Sequence, residues 1–536
     1  MKFMRKLLLT SCLVAAPFSA FAEGKIVPEI DFLTWPSTKY QHYFETSRYL
    51  AEAWEELGLK VKLNPQPFPA PMLGMWFNEH KFDVVLSVLS GSSARYEPEF
   101  YSNGQFNSKN STPGNMNVGS FSSPEIDRLG AEQLKIYDPE QRRAVVNQLQ
   151  EAIYAEQPEA LIAYVINTTA YNKNNVALEK YIDTPEGLRS VWNLTRLVPT
   201  NGQPAVRLGW TIDQESWNPL TFKIGEDLDR LALVYDRLMM VGPDGKTQLA
   251  AASALDVIND TTLDVSLRDD LKFSDGKPVT IEDVVFTFQY LKDNNAIYFK
   301  QYLDNVESIA IVDGKARFTL KQPSAPFVAA LLAQAPILPQ HIWSTLVQDT
   351  GIDKPQDFKN VPLVGSGAYR LKYWKEGREV YMERNESHFM KPPADLLFIQ
   401  YGSAEVLSSA LTKGDVDVTL QPLVPTVVEE FRTFDQLQII QAQSNGYMSA
   451  RYNMKNEFFA NKAVRQALSH ATPYEEIIEE VLGGDAATTA SSLVPSNQFW
   501  HNSALKVPEY NIEKAREMLK TAGFTWDKQG RLHFPE

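Results

Sequence analysis

The chain has 536 residues, 44% of them apolar and 22% charged, with a formal net charge of −14. That length allows several domain-sized units and a large core, and the acidity argues against nucleic acid or anionic membrane as partners. A single cysteine, Cys12, excludes a disulfide framework, and the histidines at 42, 80, 341, 388, 470, 501 and 533 never fall at metal-ligand spacing.

Lys2, Arg5 and Lys6 precede an apolar run from Leu7 and an Ala20-Phe21-Ala22 cleavage site, so residues 1–22 read as a secretory signal peptide. Leu9-Thr10-Ser11-Cys12 imitates a lipoprotein box, but only about five apolar residues precede that cysteine, too few for the apolar core of a signal. Cleavage after Ala22 is therefore favoured over anchoring at Cys12, and the mature chain is expected in the periplasm. No later run reaches about 18 apolar residues, so no membrane span is predicted.

Residues 26–34 alternate as a strand. Ser37 is placed to cap a helix that carries Leu50, Trp54 and Leu57 and stops at Gly58. Val61 and Leu63 make a second strand, and Phe82–Leu89 a third, apolar enough to be covered on both faces. Strand, helix, strand at this spacing predicts an α/β lobe. Residues 90–121, rich in Ser, Asn, Gly and Pro, read as a long loop, and a loop of some 30 residues in a folded domain tends to serve binding. Ser122-Ser123-Pro124-Glu125 and Asp138-Pro139-Glu140-Gln141 open two helices, and 160–171 is a strand.

Further on, Leu263, Val265 and Leu267 alternate with Asp264, Ser266 and Arg268, the period of a half-buried strand. Ser274–Pro278 is a turn. Thr280 with Asp283 makes a capping box for a helix that buries Ile281, Val284, Val285, Phe288 and Leu291. Thr472-Pro473-Tyr474-Glu475 reads as a second capping box, opening a helix that stops at Gly483.

No catalytic constellation emerges. Gly242-Pro243-Asp244-Gly245-Lys246-Thr247 imitates the end of a phosphate-binding loop, but its first glycine sits two residues too close and Pro-Asp-Gly is a turn. Gly365-Ser366-Gly367 lacks the residue between Ser and each Gly that a nucleophile elbow needs. That absence is slight evidence for binding over catalysis; no cofactor and no metal are expected.

The order of residues 262–291, with Phe273, Asp275-Gly276, Pro278, Thr280, Asp283-Val284 and Phe286, closely resembles the signature of the family 5 extracellular solute-binding proteins, the peptide- and nickel-binding subunits of ABC importers. Trp217-Asn218-Pro219 and Leu249-Ala250 resemble the family elements on the N-terminal side of that signature. Pro362–Tyr369, Arg384-Asn385, Gly414–Asp417, Tyr452-Asn453, Ala463–Leu468 and Lys514–Phe524 resemble those on its C-terminal side, in family order. The family signature lies near the start of a mature chain; here it begins at residue 262. Residues 57–158 instead resemble the family's C-terminal third, at Leu57–Val61, Phe82-Asp83, Glu97-Pro98, Asn117–Leu129, Asp138 with Arg142, and Pro158.

The resemblance thus implies a circularly permuted α/β protein. It is of the periplasmic-binding-protein-like type II, with two α/β lobes joined by a hinge plus an inserted α+β domain. Residues 23–168 and 454–536 would form lobe 2, and 169–246 and 346–453 lobe 1. The fusion linker would lie at 199–204 and the inserted domain at 247–345. The function implied is a periplasmic substrate-binding protein that captures a peptide or small, anionic solute. As a monomer it would deliver that solute to an ABC permease and ATPase at the inner membrane. A secreted hydrolase, or a periplasmic sensor or chaperone on the same fold, is the alternative.

The family pocket is lined by the loop that here spans 90–101. Peptide-binding relatives carry an Asp there that meets the ligand's α-ammonium; this chain has Arg95, with Tyr96, before Glu97-Pro98. A forked guanidinium suits a carboxylate, phosphate or sulfate. Arg451, Tyr452 and Asn453, at an expected lobe crossing, and Trp217 and Trp500 complete the candidate ligand-binding residues.

Overall fold

Residues 30–88 form the predicted strand–helix–strand unit. Ile30–Thr34 pairs in parallel with Val61–Pro65 on one side and Val84–Val88 on the other, Ile30 opposite Val61 and Phe32 opposite Val84. The connecting helix, Gln41–Glu55, buries Leu50 and Trp54, and Trp54 stacks on Phe32 with ring centroids 5.7 Å apart. The computed structural model describes residues 24–536 apart from 90, 92–94, 213, 222–224 and 485–486. The predicted signal peptide and Cys12 lie outside the described residues.

Ser37 is not the cap of that helix. The amide of Tyr40 bonds back to the carbonyl of Pro36 at 2.9 Å, closing a turn over the residues an earlier helix start would need. Tyr40 and Tyr43 then pack on Trp35, with centroids 4.9 and 5.3 Å away. The helix start is set by that aromatic contact, not by a side-chain cap.

Two long antiparallel strands, Glu159–Asn172 and Leu437–Tyr452, run through the middle of the largest sheet. They pair from Leu437 opposite Asn172 to Arg451 opposite Glu159, with a break between Gln443 and Tyr447 and a further register shift between Met448 and Ser449. At one end Val418–Thr419 pairs with Ala170 and Tyr171, and Ala205–Trp210, Asp395–Gln400, Glu379–Arg384 and Tyr369–Lys375 follow outward. At the other end Val84–Val88 pairs with Met448–Tyr452. Each end of the sheet therefore belongs to a different lobe, and the two crossing strands join them.

Inserted in the first lobe is a four-stranded antiparallel sheet in the order Ala252–Asn259, Thr262–Leu267, Lys315–Leu320, Val306–Val312. The turn before its helix forms as predicted: Phe273 N donates to Lys277 O at 2.8 Å, and Gly276 takes φ +90°, a conformation glycine adopts without strain. Thr280 N donates to Asp283 Oδ2 at 2.9 Å, while Asp283 Oδ1 accepts from Gln340 N at 2.8 Å. The helix, Ile281–Asp293, buries Val284, Thr287, Phe288 and Leu291. Ile281 and Val285 are only half-buried. Phe288 and Phe318 share one apolar cluster with Leu208 and Leu396, so this sheet and the first lobe have a continuous core.

Two further expectations are corrected. The stretch 90–121 is not a plain loop: Pro98–Tyr101, Asn103–Phe106 and Ser108–Asn110 are short helical turns, and Tyr101, Phe106 and Phe121 enter the core of the second lobe. Its polar side chains hold the backbone, as where Asn117 Nδ2 donates to Phe121 O at 2.8 Å. Thr472 does not cap a helix either. Its hydroxyl donates to Leu468 O at 2.9 Å in the preceding helix, Lys462–His470; the expected helix does form, as a helical turn Tyr474–Glu476 that runs on as a π-helix over Ile477–Val481 and stops before Gly483.

Near the two ends of the described chain, Ile26 bridges His533, Val27 N donates to Leu532 O at 2.9 Å and Phe534 N to Lys25 O at 2.9 Å. Among the described residues no helix is long and apolar enough to cross a membrane.

Candidate functional site

Strand Val84–Val88 runs on to Leu89, whose amide donates to Tyr447 O at 3.0 Å and brings the chain to the break in the crossing strands. A few residues later Glu97 anchors it again. Glu97 takes the N-cap position of Pro98–Tyr101 and pairs with Arg142, both side chains buried. Arg142 also donates to Gln133, at 2.8 Å from Nε. A bidentate ion pair with its remaining donors satisfied is the form in which buried charge is tolerated.

Held this way, Tyr96 reaches from the second lobe to the first and donates to Glu186 Oε2 at 2.5 Å. Glu186 sits just before the turn Gly187–Arg189, which is fixed from both sides. Asn193 Nδ2 donates to Ile182 O and Gly187 O, each at 2.8 Å, and Asn167 of a crossing strand donates to Pro185 O at 3.0 Å. Asp229, on helix Gly225–Val234, lies 3.4 Å from Arg189 Nε. Tyr96, Glu186, Ser190, Asp229, Arg237 and Gln334 line a recess of about 40 Å³. That is room for a small group or a water or two, not for a whole peptide.

The recess perturbs its ionisable groups. Burial, with Asp229 close by, pushes the Glu186 carboxyl up to about 7 against the pull of the Tyr96 hydrogen bond. Burial and the neighbouring Glu186 drive the Tyr96 hydroxyl well above its usual range. Arg237 is lowered, burial outweighing the nearby Asp229, Asp236 and Glu186. Its Nη1 reaches Gln334 Oε1 over a long 3.5 Å.

Other contacts hold the lobes together around this point. Phe499 N donates to Asp244 O at 2.7 Å, and Lys246 Nζ lies 4.8 Å from the centre of the Phe499 ring. Ala325 N donates to Leu134 O at 2.7 Å, and Tyr137 Oη to Asp260 O at 3.1 Å. The lobes are closed on each other.

The predicted site residues divide. Arg95 and Tyr96 lie at the lobe junction; Arg95 is half-buried, its guanidinium 4.6 Å from the Phe100 ring centre. Arg451, Tyr452 and Asn453 are not with them. The register carries the strand past the crossing before residue 451, so all three fall inside the second lobe. Arg451 donates to Glu159 Oε2 at 3.0 and 2.8 Å from Nε and Nη2, and both partners are buried. Tyr452 stacks on Phe459 in the core, and Asn453 Nδ2 donates to Phe82 O at 2.9 Å. Trp217 is fully buried in the first lobe. Trp500 is also buried, its ring 5.1 Å from the Arg142 guanidinium, at the edge of the groove between the lobes. Sequence reasoning missed Glu186, Asp229 and Arg237. Asp183-Thr184-Pro185-Glu186-Gly187 reads only as a turn, and nothing local shows that Tyr96 meets it.

Among the described residues no group of three or more His, Cys, Asp or Glu side chains is placed to hold a metal ion. Two lobes joined by paired crossing strands, with an inserted sheet on one, is an architecture in which the lobes can close on each other about the crossing strands. The model of the bacterial extracellular solute-binding proteins, family 5, matches residues 246–535. The chain belongs to this family. Its relatives include the oligopeptide-binding protein AppA of Bacillus subtilis, 31% identical over 274 residues, which cover 49% of this chain and 48% of AppA. Protein XP55 of Streptomyces lividans is 28% identical over 61% of this chain and 58% of its own. The probable ABC transporter periplasmic-binding protein SapA of Escherichia coli is 28% identical over 58% and 60%. The chain thus spans about half to three-fifths of the length of these curated relatives. The crystal structure of HbpA2 from Haemophilus parasuis aligns with a TM-score of 0.51 at 21% identity, over 60% of this chain and 67% of that one, a likeness of fold. The family consists of solute-binding proteins, and its type II fold accounts for the mixed sheet and crossing strands seen here.

Proposed function

We propose that this family 5 protein is the periplasmic substrate-binding component of an ABC importer, not an enzyme, and that it delivers a peptide or small solute to a membrane permease. The observation that carries this reading is the closed junction of the lobes at Tyr96 and Glu186, in a chain of this family. Relatives named as oligopeptide-binding and periplasmic-binding proteins support the ligand class and the compartment. The secretory signal read in residues 1–22 supports export. Arg95, next to Tyr96, is proposed as the donor for a carboxylate of the ligand, as a forked guanidinium suits. The chain order is proposed to be a circular permutation of the family's, supported by the mutual pairing of residues 25–27 and 532–534.

The test is native mass spectrometry of the protein after incubation with a tryptic peptide pool. One retained peptide per chain is expected, with a raised melting temperature. Arg95→Ala should lower retention at least tenfold while the ligand-free melting temperature moves by less than about 2 °C, the scale of a surface change in a protein this size. Retention of no peptide or copurified solute, or turnover of the pool, would overturn the reading.

A further inference from the structure

Glu186 is 6% exposed, and among the described residues its Oε1 has no hydrogen-bond partner. Its other oxygen accepts from Tyr96 of the opposite lobe, so the site is complete only when the lobes close. The recess that Glu186 lines holds a second carboxylate, Asp229, engaged by Arg189 at 3.4 Å. A buried carboxylate oxygen without a donor is costly, and a small cation with several N–H groups offers both charge and donors.

We infer that the recess is a subsite for a protonated amine of the ligand, with Glu186 as its counter-ion and Tyr96 fixing that carboxylate across the lobes. The inference rests on the solute-binding reading above and assigns the amine to a different element from the loop at Arg95. It gives closure a chemical cause. With no ligand, burial and Asp229 outweigh Arg189 and the Tyr96 hydrogen bond and raise the Glu186 carboxyl to about 7, so the closed form takes up a proton there more readily than the open one. An ammonium supplies the missing donor and charge, and the proton leaves to solvent. The groups facing Glu186 are Arg189 and Tyr181 on its own segment, with Asp183 hydrogen-bonded to Tyr181, Asp229 on the helix, Arg237, and Tyr96 and Tyr101 from the second lobe. The tyrosine hydroxyls are all raised above their usual range. Glu186, raised to about 7, is the group of this set that changes charge between pH 6 and 8. Amine binding needs the carboxylate, so affinity falls as pH drops from 8 to 6.

The experiment compares wild type and Glu186→Gln against a tryptic digest of serum albumin, untreated and after complete acetylation of its amines. Wild type should retain peptides from the untreated digest and lose them at least tenfold on acetylation, with retention falling between pH 8 and 6. Glu186→Gln should retain neither the preference for free amines nor the pH dependence. Loss among peptides that end in arginine assigns the amine to the chain terminus; loss only among those with lysine assigns it to a side chain. Equal retention of both digests by wild type overturns the inference and leaves the solute-binding reading standing. No retention of either digest overturns both. Should Glu186→Gln melt well below wild type, Tyr96→Phe, which removes only the hydroxyl, must show the same weakened amine preference, and its failure to do so overturns the inference.

Discussion

Glu99 shows how burial sets single-residue behaviour in this molecule. It accepts from Asn103 Nδ2 at 2.7 Å and Gln133 Nε2 at 2.5 Å, and burial pushes its carboxyl up to about 7. Its pKa is higher in the folded chain than in the unfolded one. The stability linked to it is therefore full below about pH 4.5 and lost as pH rises toward 7, on the order of 3 kcal/mol over the window. Glu99→Gln should flatten that part of the profile. Urea unfolding at pH 5 and pH 8 is expected to show a smaller difference for the variant; an equal difference would remove Glu99 as the cause. Side chains of this kind are not legible in sequence. Arg95 and Arg451 look alike as arginines beside a tyrosine, yet one lies at the lobe junction and the other is consumed by Glu159. The deciding partner of each is supplied by tertiary structure.

At the scale of elements, local grammar is most readable where one short stretch carries all its own partners. The turn at Ser274–Pro278, the Thr280–Asp283 cap and the Asp138 cap, where Gln141 N donates to Asp138 Oδ1 at 2.9 Å, all form as read. Ser37 and Thr472 fail as caps because a neighbouring carbonyl or aromatic cluster competes for the same residues. Residues 97–121 fail as a plain loop because asparagine and serine side chains satisfy the backbone while Tyr101, Phe106, Val118 and Phe121 anchor it in the core. Asp283 tests the cap directly. It serves both Thr280 N and Gln340 N, so Asp283→Ala should cost about 1–2 kcal/mol. Hydrogen exchange should localise the loss to 252–343. A loss spread evenly over both lobes would contradict that assignment.

At the scale of the whole molecule, the displaced signature at 262–291 points to the family, and the sheet brings the strands of residues 30–88 and the end of the crossing strand at 448–452 together in one lobe although they lie far apart in sequence. The proposed permutation has a constructive test. Residues 201–204 are exposed, and residues 26 and 533 are bridged. Opening the chain between Asn201 and Gly202, and joining 536 to 24 through a short Gly/Ser linker, should yield a protein that folds and retains the same peptides. Failure to fold with the same secondary-structure content would count against it.

Closure on ligand is the central claim, and the mouth of the groove reports it. Lys246 of the first lobe lies 3.9 Å from Glu140 of the second, both exposed. With cysteines replacing Glu140 and Lys246 and each carrying pyrene, excimer emission should rise on adding the peptide pool, in step with the rise in melting temperature. A melting temperature raised by ligand with no change in excimer emission would contradict closure.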